Sequence, residues 1–261
     1  MSADRDIALP PDTGRSANGH GIALRTVALS AGYDGNPVVH EISIEVAPGE
    51  VVSIVGPNGS GKSTLLKSIV GVVEVLAGQV LIAGEDVTGA KPEDVARSGV
   101  GYVPQTDDVF APLTVRENLE MGGYLLRPRE VPARIEHVLQ TFPRLRGMTG
   151  RKAGKLSGGE RKMLAMGRVL MLEPALVVLD EPTANLAPII AGTVLREHVR
   201  ELAATGASVL IVEQRARAVL EISDRTYVLG GGQLRMEGTP SELEASPEFV
   251  DSFLGGLGPR D

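Results

Sequence analysis

The sequence predicts an α/β fold: a mostly parallel sheet, an antiparallel β portion ahead of it, and a helical segment inserted into it. Three observations carry that reading. The apolar run 51–55 leads into Gly56-Pro57-Asn58-Gly59-Ser60-Gly61-Lys62-Ser63-Thr64 and then into Leu65, Leu66, Ile69 and Val70 at helical spacing: strand, glycine-rich turn, helix. A second apolar run, 175–179, ends in the paired acids Asp180 and Glu181. From there strand and helix patterns alternate, at 175–179, 191–203, 208–212 and 216–222, as βα units do.

In chain order, residues 1–21 carry Asp4, Asp6, Pro10, Pro11, Gly14 and Gly19 with no apolar middle, and read as a flexible tail rather than a secretion signal. Residues 22–30 and 42–46 alternate as half-exposed antiparallel strands do; Ile42, Ile44 and Val46 face one way, Ser43 and Glu45 the other. Between them 31–36 reads as a turn-rich loop carrying Tyr33. Residues 79–83 and 100–103 read as further strands. Residues 111–168 look mainly helical: Thr114 and Glu117 form a capping box, and Ile135, Val138, Leu139 and Phe142 make one apolar face that Pro143 ends. The helical insertion therefore spans about 106–172 within a cassette of residues 22–261. A hairpin, 225–229 and 233–236 around Gly230-Gly231-Gly232, closes the sheet.

With 261 residues the chain can bury a sizeable core. It has no cysteine, which removes disulfides and thiolate sites and fits a reducing compartment. A formal charge of −7 argues against charge-driven binding to nucleic acid or acidic lipid. No apolar run approaches the roughly 18 residues of a spanning helix.

Anion capture is the chemistry of the glycine-rich stretch. Gly56, Gly59 and Gly61 let successive N–H groups point inward as a nest, and the helix N-terminus at Lys62 adds its positive end. Lys62 supplies a mobile cation for β- and γ-phosphates, and the Ser63 hydroxyl is placed to ligate Mg²⁺. Asp180 and Glu181, delivered at the C-terminal edge of a buried strand, are placed to hold Mg²⁺ and to polarise an attacking water. Leu156-Ser157-Gly158-Gly159-Glu160 heads the helical segment 161–172, either as a second anion-ready N-terminus or simply as a well-capped helix. Tyr33 either stacks on an adenine ring or packs ordinarily.

The phosphate loop, Gln105 in Tyr102-Val103-Pro104-Gln105, LSGGE and VVLDEP, in that order, resemble the nucleotide-binding subunit of an ATP-binding cassette (ABC) transporter over residues 22–254. VFAPLTVRENLEMGG from Val109, KMLAMGRVLM from Lys162, LAPII from Leu186 and VEQRA from Val212 are similar to the shorter ATPase of branched-chain amino-acid importers. The resemblance implies a P-loop NTPase core of ABC ATPase type that binds ATP with Mg²⁺ in a head-to-tail dimer. It implies that residues 56–64 cradle the phosphates, Tyr33 stacks on adenine, and Ser157, Gly158 and Gly159 act in trans on the partner's γ-phosphate. Gln105 would sense Mg²⁺ and γ-phosphate, Asp180 support the metal, and Glu181 act as general base.

Two positions depart from the wider family. Gln214 stands where many members have histidine, and an amide can bond a phosphate but cannot gain a proton. Ala187 stands where an aspartate is usual, which favours an asymmetric dimer with a sister ATPase over a homodimer. The resemblance further implies permease subunits as partners, a periplasmic or surface solute-binding protein acting indirectly, and a peripheral seat on the cytoplasmic face of the membrane. Urea or short amides stand beside amino acids as cargo, and a soluble ABC ATPase that serves no permease is the lesser alternative.

Overall fold

The computed structural model describes residues 22–106 and 108–253. The expected tail, 1–21, and the last residues of the expected cassette, 254–261, lie outside the described residues.

In chain order the first elements are β1 (Leu24–Tyr33), β2 (Asn36–Ile42), β3 (Glu45–Val46) and β4 (Val51–Val55). Next come α1 (Lys62–Ile69), β5 (Glu74–Ile82), β6 (Glu85–Asp86), α2 (Pro92–Arg97) and β7 (Val100–Val103). Four helices follow, α3 (Val115–Gly122), α4 (Val131–Thr141), α5 (Pro143–Arg146) and α6 (Gly158–Leu170). Then β8 (Leu176–Asp180) precedes a helix in three parts: α7 (Pro188–Thr193), a π-helical stretch Val194–Val199 and α8 (Arg200–Ala203). The described chain closes with β9 (Ser208–Glu213), α9 (Ala216–Leu220), β10 (Arg225–Gly230), β11 (Gln233–Gly238), α10 (Pro240–Glu244) and α11 (Pro247–Phe253).

Two sheets organise these elements. One runs β2-β1-β5-β6, with β3 also paired to β1, and all of its pairings are antiparallel. The other runs β11-β10-β4-β9-β8-β7, parallel except at the β10–β11 edge. The parallel strands are apolar at nearly every position because both faces are covered. Val51, Val55, Val177, Leu179, Val209 and Ile211 enter one core with α3, α4 and α6; Val52, Ile54, Leu176, Val178, Leu210 and Val212 enter the other with α1 and the antiparallel sheet.

The sequence reading needs four corrections. The expected loop at 31–36 is a tight hairpin: β1 continues through Tyr33, Tyr33 pairs with Asn36, and Asp34 and Gly35 turn the chain at φ 51° and 74°. Two central residues with positive φ are what Asp-Gly provides. The helix expected at 191–203 starts earlier, with Pro188 in its first turn, where a missing N–H costs nothing. The strand expected at 79–83 begins at Glu74. Pro143 does end α4, and its fixed φ also opens α5. The strand expected at 42–46 is broken, since β2 ends at Ile42 and β3 holds only Glu45–Val46, although Ile42, Ile44 and Val46 are buried and Ser43 is exposed as the alternation requires. The capping box at Thr114 is formed in both directions.

Candidate functional site

The site is built where four parallel strands end side by side. β4 lies between β10 and β9, with Val55 in register with Glu213; β8 follows, with Asp180 opposite Val212; then β7. Each strand hands its next residues to the same edge: the 56–64 loop after β4, Glu213 and Gln214 at β9, Asp180 and Glu181 at β8, and Gln105 two residues past β7. Ligands of open α/β sheets bind at that edge.

The phosphate loop is held in shape by close backbone approaches. A Cβ on Gly56 would lie 2.2 Å from the Leu229 carbonyl oxygen and 2.8 Å from Ser60 Oγ. Gly61, the residue before α1, sits at φ 96°, and a Cβ there would meet Val39 Cγ1 at 2.6 Å. No side chain caps α1 and no acid occupies its first turn, which leaves its positive end to an anion. Lys62 is 4% exposed, and its Nζ donates to the carbonyls of Gly56 at 2.9 Å and Pro57 at 3.0 Å. Burial lowers the Lys62 pKa, while Glu181, Asp180 and Glu213 pull it back up.

Opposite the loop, the acids are arranged with little slack. Ser63 Oγ donates to Asp180 Oδ1 at 2.9 Å, and the Tyr102 hydroxyl reaches Asp180 Oδ2 at 3.3 Å. Burial, then the Asp180 charge, holds the Tyr102 phenol far above its usual range, so it stays a donor. Glu181 adopts φ 45°, a left-handed conformation that a non-glycine residue keeps only under strong constraint. Its Oε2 accepts two amide bonds, from Gln105 Nε2 at 2.9 Å and Gln214 Nε2 at 2.7 Å. A cavity of about 310 Å³ opens between these groups, lined by Val38, Asn58, Gly59, Gly61, Lys62, Ser63, Thr64, Gln105, Glu181 and Gln214.

Of the residues singled out in the sequence, Gly56, Pro57, Ser60 and Asp180 shape or underlie this cavity without lining it, and Asp180 is 1% exposed. Tyr33 stands at the hairpin tip, half exposed and outside the lining. Ser157, Gly158 and Gly159 are elsewhere: Ser157 caps α6, accepting from Glu160 N while Glu160 Oε2 accepts from Ser157 N. Within one chain, therefore, that motif is a completed helix cap and does not touch the phosphate loop.

Residues not singled out as site residues also take part. Glu213, 2% exposed, accepts from the backbone N–H of Thr183 at 2.9 Å and of Gln214 at 3.3 Å, tying the turn that carries Glu181 to the end of β9. Burial pushes its carboxyl pKa up against those bonds. The signal was present: an acid ending the apolar run 208–212 repeats the pattern of 175–180. Tyr102, which reaches Asp180, had no comparable local mark.

A glycine-rich loop between a parallel strand and a helix, facing acids at the ends of neighbouring strands, defines a phosphate-loop nucleotide-binding protein. The family described as ABC transporter matches residues 39–184. The chain is 42% identical over 232 residues to the probable branched-chain amino acid transport ATP-binding protein LivF of Archaeoglobus fulgidus, covering 89% of this chain and 98% of that protein. It is 40% identical over 228 residues to the high-affinity branched-chain amino acid transport ATP-binding protein BraG of Pseudomonas aeruginosa, covering 87% and 97%. Among solved structures it is similar to the ADP conformation of an ATP-binding cassette of an ABC transporter, with TM-score 0.79, 33% identity, and 90% and 99% coverage. The chain belongs to the ABC transporter family, as one of its ATP-hydrolysing subunits.

Proposed function

We propose that this chain hydrolyses ATP to drive import of branched-chain or related amino acids, seated against permease subunits at the cytoplasmic face of the membrane and paired with a second ATPase subunit. The observation that carries the reading is the convergence of phosphate loop, Asp180, Glu181, Gln105 and Gln214 on one cavity. The cargo comes from the names of LivF and BraG, whose lengths this chain spans almost fully. Permease subunits are the partners that the transport ATP-binding proteins LivF and BraG imply, and among the described residues no helix is long and apolar enough to cross a membrane.

In this reading residues 56–64 cradle the β- and γ-phosphates, and Lys62 exchanges its contacts with Gly56 and Pro57 for phosphate oxygens. Asp180, Ser63 and Gln105 offer only oxygen donors, the set Mg²⁺ prefers, and Ser63 and Asp180 already touch. When bound, Mg²⁺ would neutralise charge developing on the phosphates. Glu181 takes a proton from the attacking water, oriented by the Gln105 and Gln214 amides. Gln214 cannot take up that proton, which leaves Glu181 as the base. Tyr33 supports the adenine, and Ser157, Gly158 and Gly159 reach the phosphates held by the partner subunit.

The test is uptake of labelled leucine by membrane vesicles from the native cell, with the chain complemented as wild type or as Lys62→Ala. ATP-dependent uptake restored only by the wild type is expected. Uptake indifferent to the chain, with ATPase activity intact, would remove the cargo assignment.

A further inference from the structure

Lys162 is 6% exposed and lies in the second turn of α6, four residues past Gly158. A buried ammonium needs partners, and its partners all belong to the segment between β7 and α3. Its Nζ donates to the Gln105 carbonyl at 2.9 Å and lies 2.8 Å from Asp108 Oδ2. Further along α6, Arg168 donates to the Asp108 carbonyl and places its guanidinium 4.4 Å above the Phe110 ring. The far side of the segment is fastened too: Asn118 of α3, fully buried, bonds both the N–H and the carbonyl of Phe110. The Gln105 amide in turn holds Glu181. An unbroken chain of contacts therefore runs from α6 through Lys162 and the Gln105 backbone to the carboxylate at the cavity.

We infer that Lys162 is a positioning residue that makes α6 and Gln105 move as one unit, so that engagement of Ser157-Gly158-Gly159 is reported to Glu181 of the same chain. The inference rests on the proposed function, in which that helix head meets nucleotide held by the partner subunit. It adds the route by which filling one site orients the base of the other. A shift of α6 by about 1 Å without the loop would stretch the Lys162–Gln105 bond past its useful range and strand an ammonium and a carboxylate in a buried position. Moving together avoids that cost. The same helix head is already fixed to α6 by the Ser157–Glu160 capping box, so a displacement there is passed on rather than absorbed by fraying.

The experiment compares steady-state ATP hydrolysis by the full chain with its partner subunits, as wild type, Lys162→Met, Lys162→Arg, Gln105→Ala and the Lys162→Met/Gln105→Ala double variant. Nucleotide affinity and melting are measured in parallel. Lys162→Met is expected to lower kcat about tenfold, a loss within reach of coupling through packed networks. Nucleotide affinity should stay within about twofold, and Lys162→Arg should recover most of kcat. In the Gln105→Ala background, Lys162→Met should cost less than about twofold more, because a residue acting through another is non-additive with it. If Lys162→Met does not fold, Lys162→Gln, which keeps a donor without the charge, takes its place with the same expectations. Wild-type kcat in the substituted chain, or a fully multiplicative loss in the double variant, would overturn the inference alone. A wild type that binds no nucleotide would overturn the proposed function with it.

Discussion

Glu181→Gln separates binding from chemistry in this site. In the structure Glu181 is 6% exposed and its Oε2 accepts both amides, from Gln105 at 2.9 Å and Gln214 at 2.7 Å. A glutamine carbonyl in the same place still accepts both, so only the charge is lost. Exchanging two charge-assisted bonds for neutral ones costs the fold about 1–3 kcal/mol. Removing a negative charge from beside Asp180 and Glu213 offsets part of that. Loss of a positioned base costs about 10²- to 10⁴-fold in turnover, or about 3–5 kcal/mol on the barrier. The phosphate loop keeps its lining, and one fewer negative charge faces the phosphates, so ATP affinity should hold or rise. The assay pairs single-turnover phosphate release with equilibrium nucleotide binding and a melting curve. Turnover within about threefold of wild type would refute Glu181 as the base. A parallel loss of binding would refute the division of labour between Glu181 and the loop.

The other expectations follow from single contacts. Gln214→His should give turnover a pH inflection near an imidazole pKa of about 6.5 that the wild type lacks; identical pH profiles would contradict the place given to Gln214 beside Glu181. Gly56→Ala puts a Cβ 2.2 Å from the Leu229 carbonyl, which the backbone cannot easily yield; urea unfolding should show about 1–3 kcal/mol lost, with weakened nucleotide binding. Burial raises the folded-state pKa of Glu213 above its unfolded value, so its contribution to stability is full at acid pH and is lost as pH rises through the raised pKa. Wild type should lose up to about 1.4 kcal/mol per pH unit across that window relative to Glu213→Gln, read from melts at a series of pH values.

What the sequence disclosed, and what it hid, follow from the range of the interactions. The phosphate loop, the strand ending at Asp180 and the Thr114 capping box are each fixed within nine residues, and spacing alone reveals them. The Asp34-Gly35 turn was readable too, but the glycine-rich run from Ala31 to Asn36 looked like a loop because β1 carries Gly32 where a side chain would strike the Asn36 carbonyl. Contacts across long separations left no local mark. Lys162 reaches Gln105 across 57 residues and Tyr102 reaches Asp180 across 78, and neither periodicity nor composition reports such pairs. Ser157 illustrates the reverse case: its cap is local and legible, while its proposed ligand would come from a second subunit.

Equilibrium titration of the purified chain with Mg·ATP, wild type against Lys62→Ala, bears most directly on the central claim that the 56–64 loop is a phosphate cradle. Saturable binding of one nucleotide per chain, weakened about tenfold or more by the substitution, is the predicted result. Absence of saturable binding by the wild type, or binding that Lys62→Ala leaves unchanged, would contradict it.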